Sequence, residues 1–307
     1  MRVVVYLEWP EACFRATDGD LRYLKKLLPA GAKAVRVRSE AALLAALPAA
    51  THVITWYFKA EWYRLAPKLV WVATPAAGRE LVARADVPCH FGHYHGEIMA
   101  ESVAAFCLAW SRGFLWKKPD VWPRTWMGDR CRMLAGSVAV IAGFGHVGRA
   151  VGAKLEALGV RVRGLTHREC DALRRSRVRR LAVLGSADWF VMALPSDTGT
   201  DGFLDAALIA KLPRKCVVVN IGRGNAVDER ALAAALREGR LAGAYLDVLR
   251  HEPHCRQALG FGEDVRRPGG EFLVGKVPNA VVMPHASAFS ADYVQRCFKE
   301  LKDDGVI

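Results

Sequence analysis

The length, composition and charge of the chain exclude several classes of protein. Its 307 residues are about twice the size of a single domain, which favours two domains with separate cores. Hydrophobic residues make up 52% and charged residues 24%, a balance that excludes disordered, collagen-like and coiled-coil chains. No apolar run reaches the roughly 20 residues of a membrane span, and the N-terminus lacks a signal-peptide pattern. We therefore expect a cytoplasmic protein with no membrane partner.

The formal net charge of +13 favours anionic partners of every kind. The densest basic run, residues 174–180, has the charge of a phosphate-binding surface, but no aromatic residues or recognition motif accompany it. We interpret the run as a solvated helix and expect no nucleic-acid partner. The eight cysteines form no C-x-x-C pair, which predicts free thiols in a reducing compartment.

The N-terminal part of the chain alternates short apolar runs with amphipathic segments, a pattern typical of a parallel sheet. The predicted strands are residues 2–7, 34–37, 52–55 and 69–73. The predicted helices are residues 18–28, 39–47 and 59–66. Asp18 and Ser39 are the expected N-cap residues, because short oxygen-bearing side chains accept hydrogen bonds from the first free N–H groups of a helix.

A long apolar helix is predicted from Glu97 to Arg112, followed by a segment rich in tryptophan and proline, Trp116 to Trp126. This segment matches no periodic pattern, so we interpret it as a domain boundary or an interface arm.

The strand and helix alternation then starts again and predicts a second parallel sheet. The predicted strands are residues 138–142, 160–165, 189–194, 216–221, 242–246 and 280–283. The predicted helices are residues 147–158, 203–211 and 228–238.

A glycine-rich turn joins the first strand and helix of this second region. Gly143, Gly145 and Gly148 form a G-x-G-x-x-G pattern between them. Such a turn lets the backbone approach a pyrophosphate, which the positive end of the following helix attracts. The strand and helix context favours nucleotide binding over a plain glycine turn.

The end of the next strand indicates which dinucleotide fits. An acidic residue there would bind the ribose hydroxyl of NAD, whereas an arginine would accommodate the 2′-phosphate of NADP. The sequence has Thr166, His167 and Arg168 before its first acid, Glu169. NADP(H) is therefore favoured over NAD(H), although Arg168 could also be an ordinary surface charge.

Three later segments place a chemically useful side chain near the carboxyl end of a predicted strand, where open α/β sheets bind ligands. Arg223 lies between two glycines and has the planar donor group that grips a carboxylate. Glu252 and His285 form the acid and imidazole pair of a general acid. Together these residue types suit reduction of a 2-keto acid.

The order of these motifs resembles that of the D-isomer-specific 2-hydroxyacid dehydrogenase family. The resemblance rests on Gly143 to Gly148 and on the phrases LPSDTGTDGF, NIGRG, LDVLRHEP and MPHAS, and it covers nearly the whole chain. It implies two Rossmann-like, doubly wound parallel-sheet α/β domains with a cleft between them. The substrate-binding, flavodoxin-like domain would comprise residues 1–98 and 287–307, and the dinucleotide-binding domain residues 99–286.

The resemblance also implies roles for individual residues. Arg223 and His285 would bind the substrate. His285 would exchange a proton with the substrate oxygen, and Glu252 would orient the His285 imidazole. The carboxylate of a small 2-keto or 2-hydroxy acid, of the glyoxylate or hydroxypyruvate type, would also meet the backbone of Ala76, Ala77 and Gly78. The implied dinucleotide-binding residues are Gly143, Gly145, His146, Val147, Gly148, Thr166, His167, Arg168, Leu194, Pro195, Thr200, Ile221, Gly222 and Asp247. The Trp116 to Trp126 segment would form a homodimer.

One alternative function stays open at this point, and one candidate metal site is considered and not expected. The family includes corepressor-like proteins that sense dinucleotides, so a binding protein of the same fold is the second hypothesis. His90, His93 and His95, near Cys89 and Glu97, contain metal-ligating side chains without a recognised ligand spacing, so we expect no metal there.

Overall fold

The computed structural model describes residues 1–79, 81–115, 131–166, 168–171, 184–250, 252 and 274–307. These residues divide into two compact units. The first unit contains residues 1–79, 81–95 and 289–307, and the second contains the other described residues. The expected dimer segment Trp116 to Trp126, the basic run 174–180 and His167 lie outside the described residues. No helix in the described ranges is long and apolar enough to cross a membrane.

The first unit is built on a parallel sheet. Its strands are β1 (Arg2–Tyr6), β2 (Lys33–Arg36), β3 (His52–Thr55), β4 (Trp71–Thr74) and β5 (Cys89–Phe91). Its helices are α1 (Asp18–Leu27), α2 (Glu40–Ala46), the short α3 (Trp62–Leu65) and, near the C-terminus, a helix at Tyr293–Asp303. The strand order β2-β1-β3-β4-β5 is the flavodoxin-like order.

One of the two predicted N-caps of this unit is wrong. Thr17, not Asp18, caps α1: the Thr17 side chain accepts a hydrogen bond from the Asp20 N–H, and the Asp20 carboxylate accepts one from the Thr17 N–H. Asp18 instead accepts a hydrogen bond from Arg36, which lowers the pKa of the Asp18 carboxyl. Ser39 caps α2 as predicted, because its Oγ accepts from the Ala42 N–H.

Two further elements of this unit differ from the sequence prediction. The helix predicted over residues 59–66 is only Trp62–Leu65. Strand β5 was not predicted, because its three residues are half-buried and have no apolar run. Its register, with Val72 beside Cys89 and Thr74 beside Phe91, comes from pairing with β4.

The second unit contains the other sheet. Its strands are β6 (Val138–Ala142), β7 (Arg161–Leu165), β8 (Trp189–Met192), β9 (Val217–Asn220), β10 (Gly243–Leu246) and β11 (Ala280–Val282). Its helices are α4 (His95–Ser111, whose first residue belongs to the first unit), α5 (His146–Ala157), α6 (Ala206–Ile209) and α7 (Glu229–Arg237). The C-terminal helix of the first unit, Tyr293–Asp303, is then α8. The strand order is β11-β10-β9-β8-β6-β7, and all paired strands are parallel.

Both faces of this second sheet are buried. Successive residues along a strand point to opposite faces. Val140, Phe190 and Val218 accordingly join one apolar cluster, while Trp189 and Val217 join another. The near-continuous apolar strands of the sequence are the expected signature of a sheet covered on both sides. The predicted fold class, two parallel-sheet α/β domains, is confirmed.

Helix α4 packs on this sheet through aromatic side chains. The Phe106 ring lies 4.8 Å from that of Tyr245 and 6.4 Å from that of Trp189, measured between centroids. The Trp110 indole covers Gly243 at the start of β10 so closely that a Cβ at Gly243 would overlap the ring. Gly243 therefore sets how near α4 can come to the sheet.

We expect the substitution Gly243→Ala to lower the free energy of unfolding by about 1–3 kcal/mol, the usual cost of overpacking a filled core. Gly185→Ala is the matched control, because a Cβ at Gly185 meets nothing within 4 Å. Urea unfolding of both variants measures the effect. Equal midpoints for Gly243→Ala and the unsubstituted chain would contradict this account of α4 packing.

Candidate active site

The predicted site residues of the second unit gather at the carboxyl ends of its parallel strands. Strand β6 has β7 on one side and β8 on the other, so the connections leaving the sheet diverge at this point. Open α/β sheets bind their ligands in the crevice that such a divergence creates.

The glycine turn after β6 depends on close backbone approach. Gly143 has a φ of 87°, and a Cβ there would lie 2.5 Å from the carbonyl oxygen of Ala193, the residue after β8. A Cβ at Gly148 would overlap the carbonyl oxygen of Gly143. Gly145 differs from both, because it is exposed and a Cβ there would meet no protein atom within 4 Å.

The start of α5 is suited to an anion. Its N-cap residue is Gly145, which supplies no side-chain oxygen, and its first turn contains no acidic residue. His146 is exposed and Val147 is half-buried in this turn. The positive end of the helix dipole therefore meets no carboxylate of the helix's own first turn.

The end of β7 contains a local hydrogen-bond network. The Thr166 N–H and hydroxyl both donate to a carboxylate oxygen of Glu169, at 2.9 and 3.2 Å. Arg163 donates to the other oxygen at 3.3 Å. The Thr166 hydroxyl, which we expected to face a phosphate, is thus occupied. Arg168 is exposed, and among the described residues no hydrogen bond or ion pair engages its side chain, which leaves its charge available.

In the loop after β8, Thr200, a predicted cofactor-binding residue, makes hydrogen bonds within the loop itself. The Thr200 hydroxyl donates to the Pro195 carbonyl oxygen at 2.7 Å, and the Thr200 N–H donates to the Asp197 carboxylate at 2.9 Å. Thr200 is buried, as is Leu194, whereas Pro195 is exposed. Thr200 therefore holds the loop in shape, and of these three residues Pro195 alone is accessible to a ligand.

Arg223 projects from a tightly held turn after β9. The Asn220 side chain accepts from the Gly222 N–H and donates to the Arg223 carbonyl, each at 3.1 Å. A Cβ at Gly222 would lie 2.5 Å from the Leu194 carbonyl oxygen, and one at Gly224 would overlap the backbone at Leu249. Only glycine fits on either side of Arg223. Ile221, which precedes them, is buried.

The structure brings Glu252 and His285 together. His285 Nδ1 lies 2.9 Å from Glu252 Oε2, and Glu252 Oε1 accepts a hydrogen bond from the Leu249 N–H at 3.0 Å. The side chains are 42% and 24% exposed, so the imidazole is accessible while its acid is more covered. A carboxylate on Nδ1 fixes the tautomer and leaves Nε2 to exchange protons with a ligand.

Asp247 holds the backbone that carries His285. Its Oδ1 accepts from the N–H groups of Ala286 at 2.8 Å and Ser287 at 2.9 Å, while its carbonyl accepts from the His285 N–H at 2.9 Å. Burial raises the pKa of the Asp247 carboxyl, against the lowering effect of His285 and these N–H groups. Asp247 was predicted to contact the dinucleotide; the contacts here are to the turn.

His285 itself has an unusual backbone. Its φ is 55°, the one positive value at a non-glycine position in the ranges described. Left-handed backbone at a non-glycine residue costs energy and is kept where the surroundings impose it. Ser287 adds to that restraint: its hydroxyl lies 2.8 Å from that of Tyr245, and its carbonyl accepts from Ser102 at 2.8 Å.

The predicted substrate-binding turn follows β4 in the first unit. The Thr74 hydroxyl accepts a hydrogen bond from the Ala76 N–H at 3.2 Å, so this predicted donor already has a partner. The N–H groups of Ala77 and Gly78 donate to no acceptor among the described residues. Two of the three predicted donors are thus available to a carboxylate.

Sequence reasoning missed the role of one residue, Asn220, and the contacts of another, Glu169. Asn220 lies inside the NIGRG phrase, beside Arg223, and its position at a strand end was the signal available. Glu169 was read as the first acid after β7, but its hydrogen bonds to Thr166 were not foreseen. The T-x-x-E spacing of a capping box predicts that contact.

Comparison with known proteins agrees with this arrangement. Residues 104–287 match the family model described as D-isomer specific 2-hydroxyacid dehydrogenase, NAD binding domain. A glycerate dehydrogenase of Methylorubrum extorquens is 25% identical over 260 residues, which are 80% of this chain and 78% of that protein.

Solved structures share the fold over nearly the full length. An NADPH-dependent glyoxylate/hydroxypyruvate reductase from Sinorhizobium meliloti, in complex with NADP and sulfate, superimposes with a TM-score of 0.72 at 25% identity, covering 99% of this chain and 94% of that one. An NAD-complexed D-isomer specific 2-hydroxyacid dehydrogenase from Lactobacillus delbrueckii gives 0.76 at 18% identity, covering 100% and 96%. The matched family model spans more than half of the chain, which therefore belongs to the D-isomer specific 2-hydroxyacid dehydrogenase family.

Proposed function

We propose that this chain reduces a small 2-keto acid to the D-2-hydroxy acid with a reduced nicotinamide dinucleotide. The observation that carries the proposal is the hydrogen-bonded pair of His285 and Glu252, because it supplies a positioned general acid. Arg223 supports it from the end of β9, since a guanidinium binds the carboxylate and stabilises negative charge on the reacting oxygen.

The turn after β6 has the features needed to hold the dinucleotide. Gly143 and Gly148 let its backbone fold closely, Gly145 leaves open space, and the first turn of α5 offers a positive helix end. The bound dinucleotide supplies the hydride that is added to C2 of the keto acid. Asp247 and Thr200 contribute by positioning the neighbouring loops.

His285 performs the proton transfer. With Nδ1 hydrogen-bonded to Glu252, the protonated imidazole gives its Nε2 proton to the oxygen of the former carbonyl as that oxygen becomes a hydroxyl. Glu252 stabilises the imidazolium before the transfer and keeps the ring oriented. The reverse reaction uses the same atoms, with neutral His285 accepting the proton.

The activities for which several relatives are named favour a two- or three-carbon acid as substrate. One relative is called glycerate dehydrogenase, one glyoxylate reductase and one glyoxylate/hydroxypyruvate reductase. The glyoxylate reductase match covers 44% of that protein's length, so it bears on part of the relative only. We propose glyoxylate or hydroxypyruvate as the substrate class.

We propose NADPH as the preferred cofactor. Arg168 follows β7 by three positions and is exposed, and no hydrogen bond or ion pair with a described residue engages its side chain, so its charge can meet a 2′-phosphate. The next residue, Glu169, is an acid that is already hydrogen-bonded to Thr166 and Arg163. A homodimer formed through Trp116 to Trp126 and a cytoplasmic location stay predictions from the sequence.

Consumption of NADPH and NADH with glyoxylate, hydroxypyruvate, pyruvate and longer 2-keto acids tests the function. We expect turnover with the smallest acids and a loss of about 10²- to 10⁴-fold in kcat for His285→Asn, since a general acid contributes that much. Asparagine is chosen because it tolerates a left-handed backbone but does not titrate. Dinucleotide affinity should not change.

Two results would contradict the proposal. Undiminished kcat in His285→Asn would remove the proton-transfer role. Tight dinucleotide binding with no turnover on any acid would favour the dinucleotide-sensing, corepressor-like alternative.

The substitution Gly145→Ala tests the dinucleotide turn. We expect the dinucleotide Kd to rise at least about tenfold while the thermal midpoint is unchanged, because the added Cβ occupies the space for the pyrophosphate and meets no protein atom. Gly148→Ala should instead lower the midpoint, because its Cβ overlaps the Gly143 carbonyl. Calorimetric titration with NADPH measures the Kd, and thermal unfolding measures the midpoint. Unaltered affinity in Gly145→Ala would contradict the assignment.

The substitution Arg168→Ala tests cofactor preference. We expect NADPH affinity to fall about tenfold or more and NADH affinity to change little, since only NADPH carries the 2′-phosphate. Arg161→Ala is the charge-matched control, because Arg161 is exposed and donates to the Gly136 carbonyl. Equal losses for both cofactors in Arg168→Ala would remove the argument for NADPH.

A further inference from the structure

A cluster of two histidines and two carboxylates lies in the first unit. His90 and His93 come from β5 and the turn after it, and Glu300 and Asp304 come from α8 and its C-terminal end. One ligand atom from each residue lies within 4.8 Å of every other. None of the four has a role in the proposed reaction. We infer that this cluster, called here the His–carboxylate cluster, is a binding site for a divalent transition-metal ion of the zinc type.

The charges of the cluster call for a cation. Glu300 and Asp304 pair with His90 and His93, and among the described residues no lysine or arginine pairs with either carboxylate. The Glu300 side chain is only 6% exposed, so water does little to stabilise its charge. Asp304 follows the last turn of α8, where the negative helix end also favours a positive charge.

The distances suit one ion. With metal-to-ligand bonds of about 2.0–2.2 Å, neighbouring ligand atoms of a tetrahedral site lie about 3.4 Å apart. His90 Nε2 is 3.0 Å from Glu300 Oε1 and 3.8 Å from Asp304 Oδ2, and His93 Nε2 is 2.9 Å from the same Asp304 oxygen. These separations lie on both sides of the required value, and all four ligand atoms lie within 4.8 Å of one another, so movements of the side chains by about an ångström would complete the site.

The remaining atoms of the cluster would hold the ligands in place. His93 Nδ1 lies 2.9 Å from Glu300 Oε2, the carboxylate oxygen that would not face the ion. The His93 N–H also donates to the Glu300 carboxylate. A metal-bound histidine commonly donates its other ring N–H to a carboxylate, which fixes its tautomer and orientation.

The ligand types select the metal class. Two imidazoles with two carboxylate oxygens suit zinc and similar first-row metals, whereas magnesium and calcium prefer oxygen ligands alone. The spacing H-x-x-H here pairs with E-x-x-x-D, which puts Glu300, in the last turn of α8, about one helical turn before Asp304, the C-cap residue. His95, Cys89 and Glu97, the neighbours considered from the sequence, are not members; His95 Nε2 instead lies 2.7 Å from the Tyr293 hydroxyl.

Titration of the full chain with Zn²⁺ tests the proposal. The protein carries no histidine tag and is first freed of metal with a chelator. We expect one high-affinity Zn²⁺ per chain by calorimetry, with the affinity lowered at least about tenfold in His93→Ala and in Asp304→Asn. Both side chains are partly exposed, so these variants should fold. Asp303→Asn is the matched control, because Asp303 pairs with Lys299 and lies outside the cluster.

Thermal unfolding gives a second readout, independent of catalysis. Zn²⁺ should raise the midpoint of the unsubstituted chain and of Asp303→Asn, and raise it much less in the two cluster variants. Absence of a high-affinity Zn²⁺ site would overturn the proposal. So would equal affinities in all three variants, or equal affinity for Zn²⁺ and Mg²⁺.

Discussion

Close backbone packing at the carboxyl edge of the second sheet is the constraint on which the rest of the site depends. Gly143 approaches Ala193, Gly222 approaches Leu194, and Gly224 approaches Leu249, each more closely than a side chain allows. These contacts bind the turns after β6, β8, β9 and the segment after β10 into one layer. Arg223 therefore projects from a rigid turn. The glycines on both sides of it have no side chain that would clash with the neighbouring backbone.

The His285 loop joins the same layer by hydrogen bonds instead of glycines. Asp247, at the end of β10, accepts three bonds from residues 285–287 through its carboxylate and carbonyl. Burying a carboxylate costs free energy unless hydrogen-bond donors satisfy it. Loss of any of these bonds would therefore be unfavourable, and the bonds fix the backbone of residues 285–287. The strained backbone of His285 is held by this arrangement, and its imidazole is then oriented by Glu252. Precise placement matters more than the mere presence of a histidine, because proton transfer requires hydrogen-bond reach.

The sequence predicted the parts of the molecule that local burial dictates. The strands of the second sheet are almost continuous in apolar residues, so their order along the chain could be predicted, and the glycine turn, Arg223, Glu252 and His285 could be located. Local patterns do not report side chains that bond to their own loop. The hydroxyls of Thr200 and Thr166, for example, donate within their own loops, which the sequence pattern did not indicate. The short strand β5 was missed because β4, not its own composition, imposes its pairing.

Contacts between distant segments were the least predictable, and the His–carboxylate cluster shows why. His90 and Glu300 lie 210 residues apart in sequence, and neither segment alone has the spacing of a metal site. Other contacts also join the C-terminal segment to the rest of the first unit: Gln295 of α8 donates to Asp20, and Trp71 donates to the carbonyl of Val306, which follows α8. Closing so long a connection costs conformational entropy, which these contacts must offset. An ion bound by β5 and α8 would add its binding free energy to the same closure. All four ligands of such an ion belong to the first unit, whereas Arg223, Glu252 and His285 belong to the second, so the ion would stabilise the fold of the first unit.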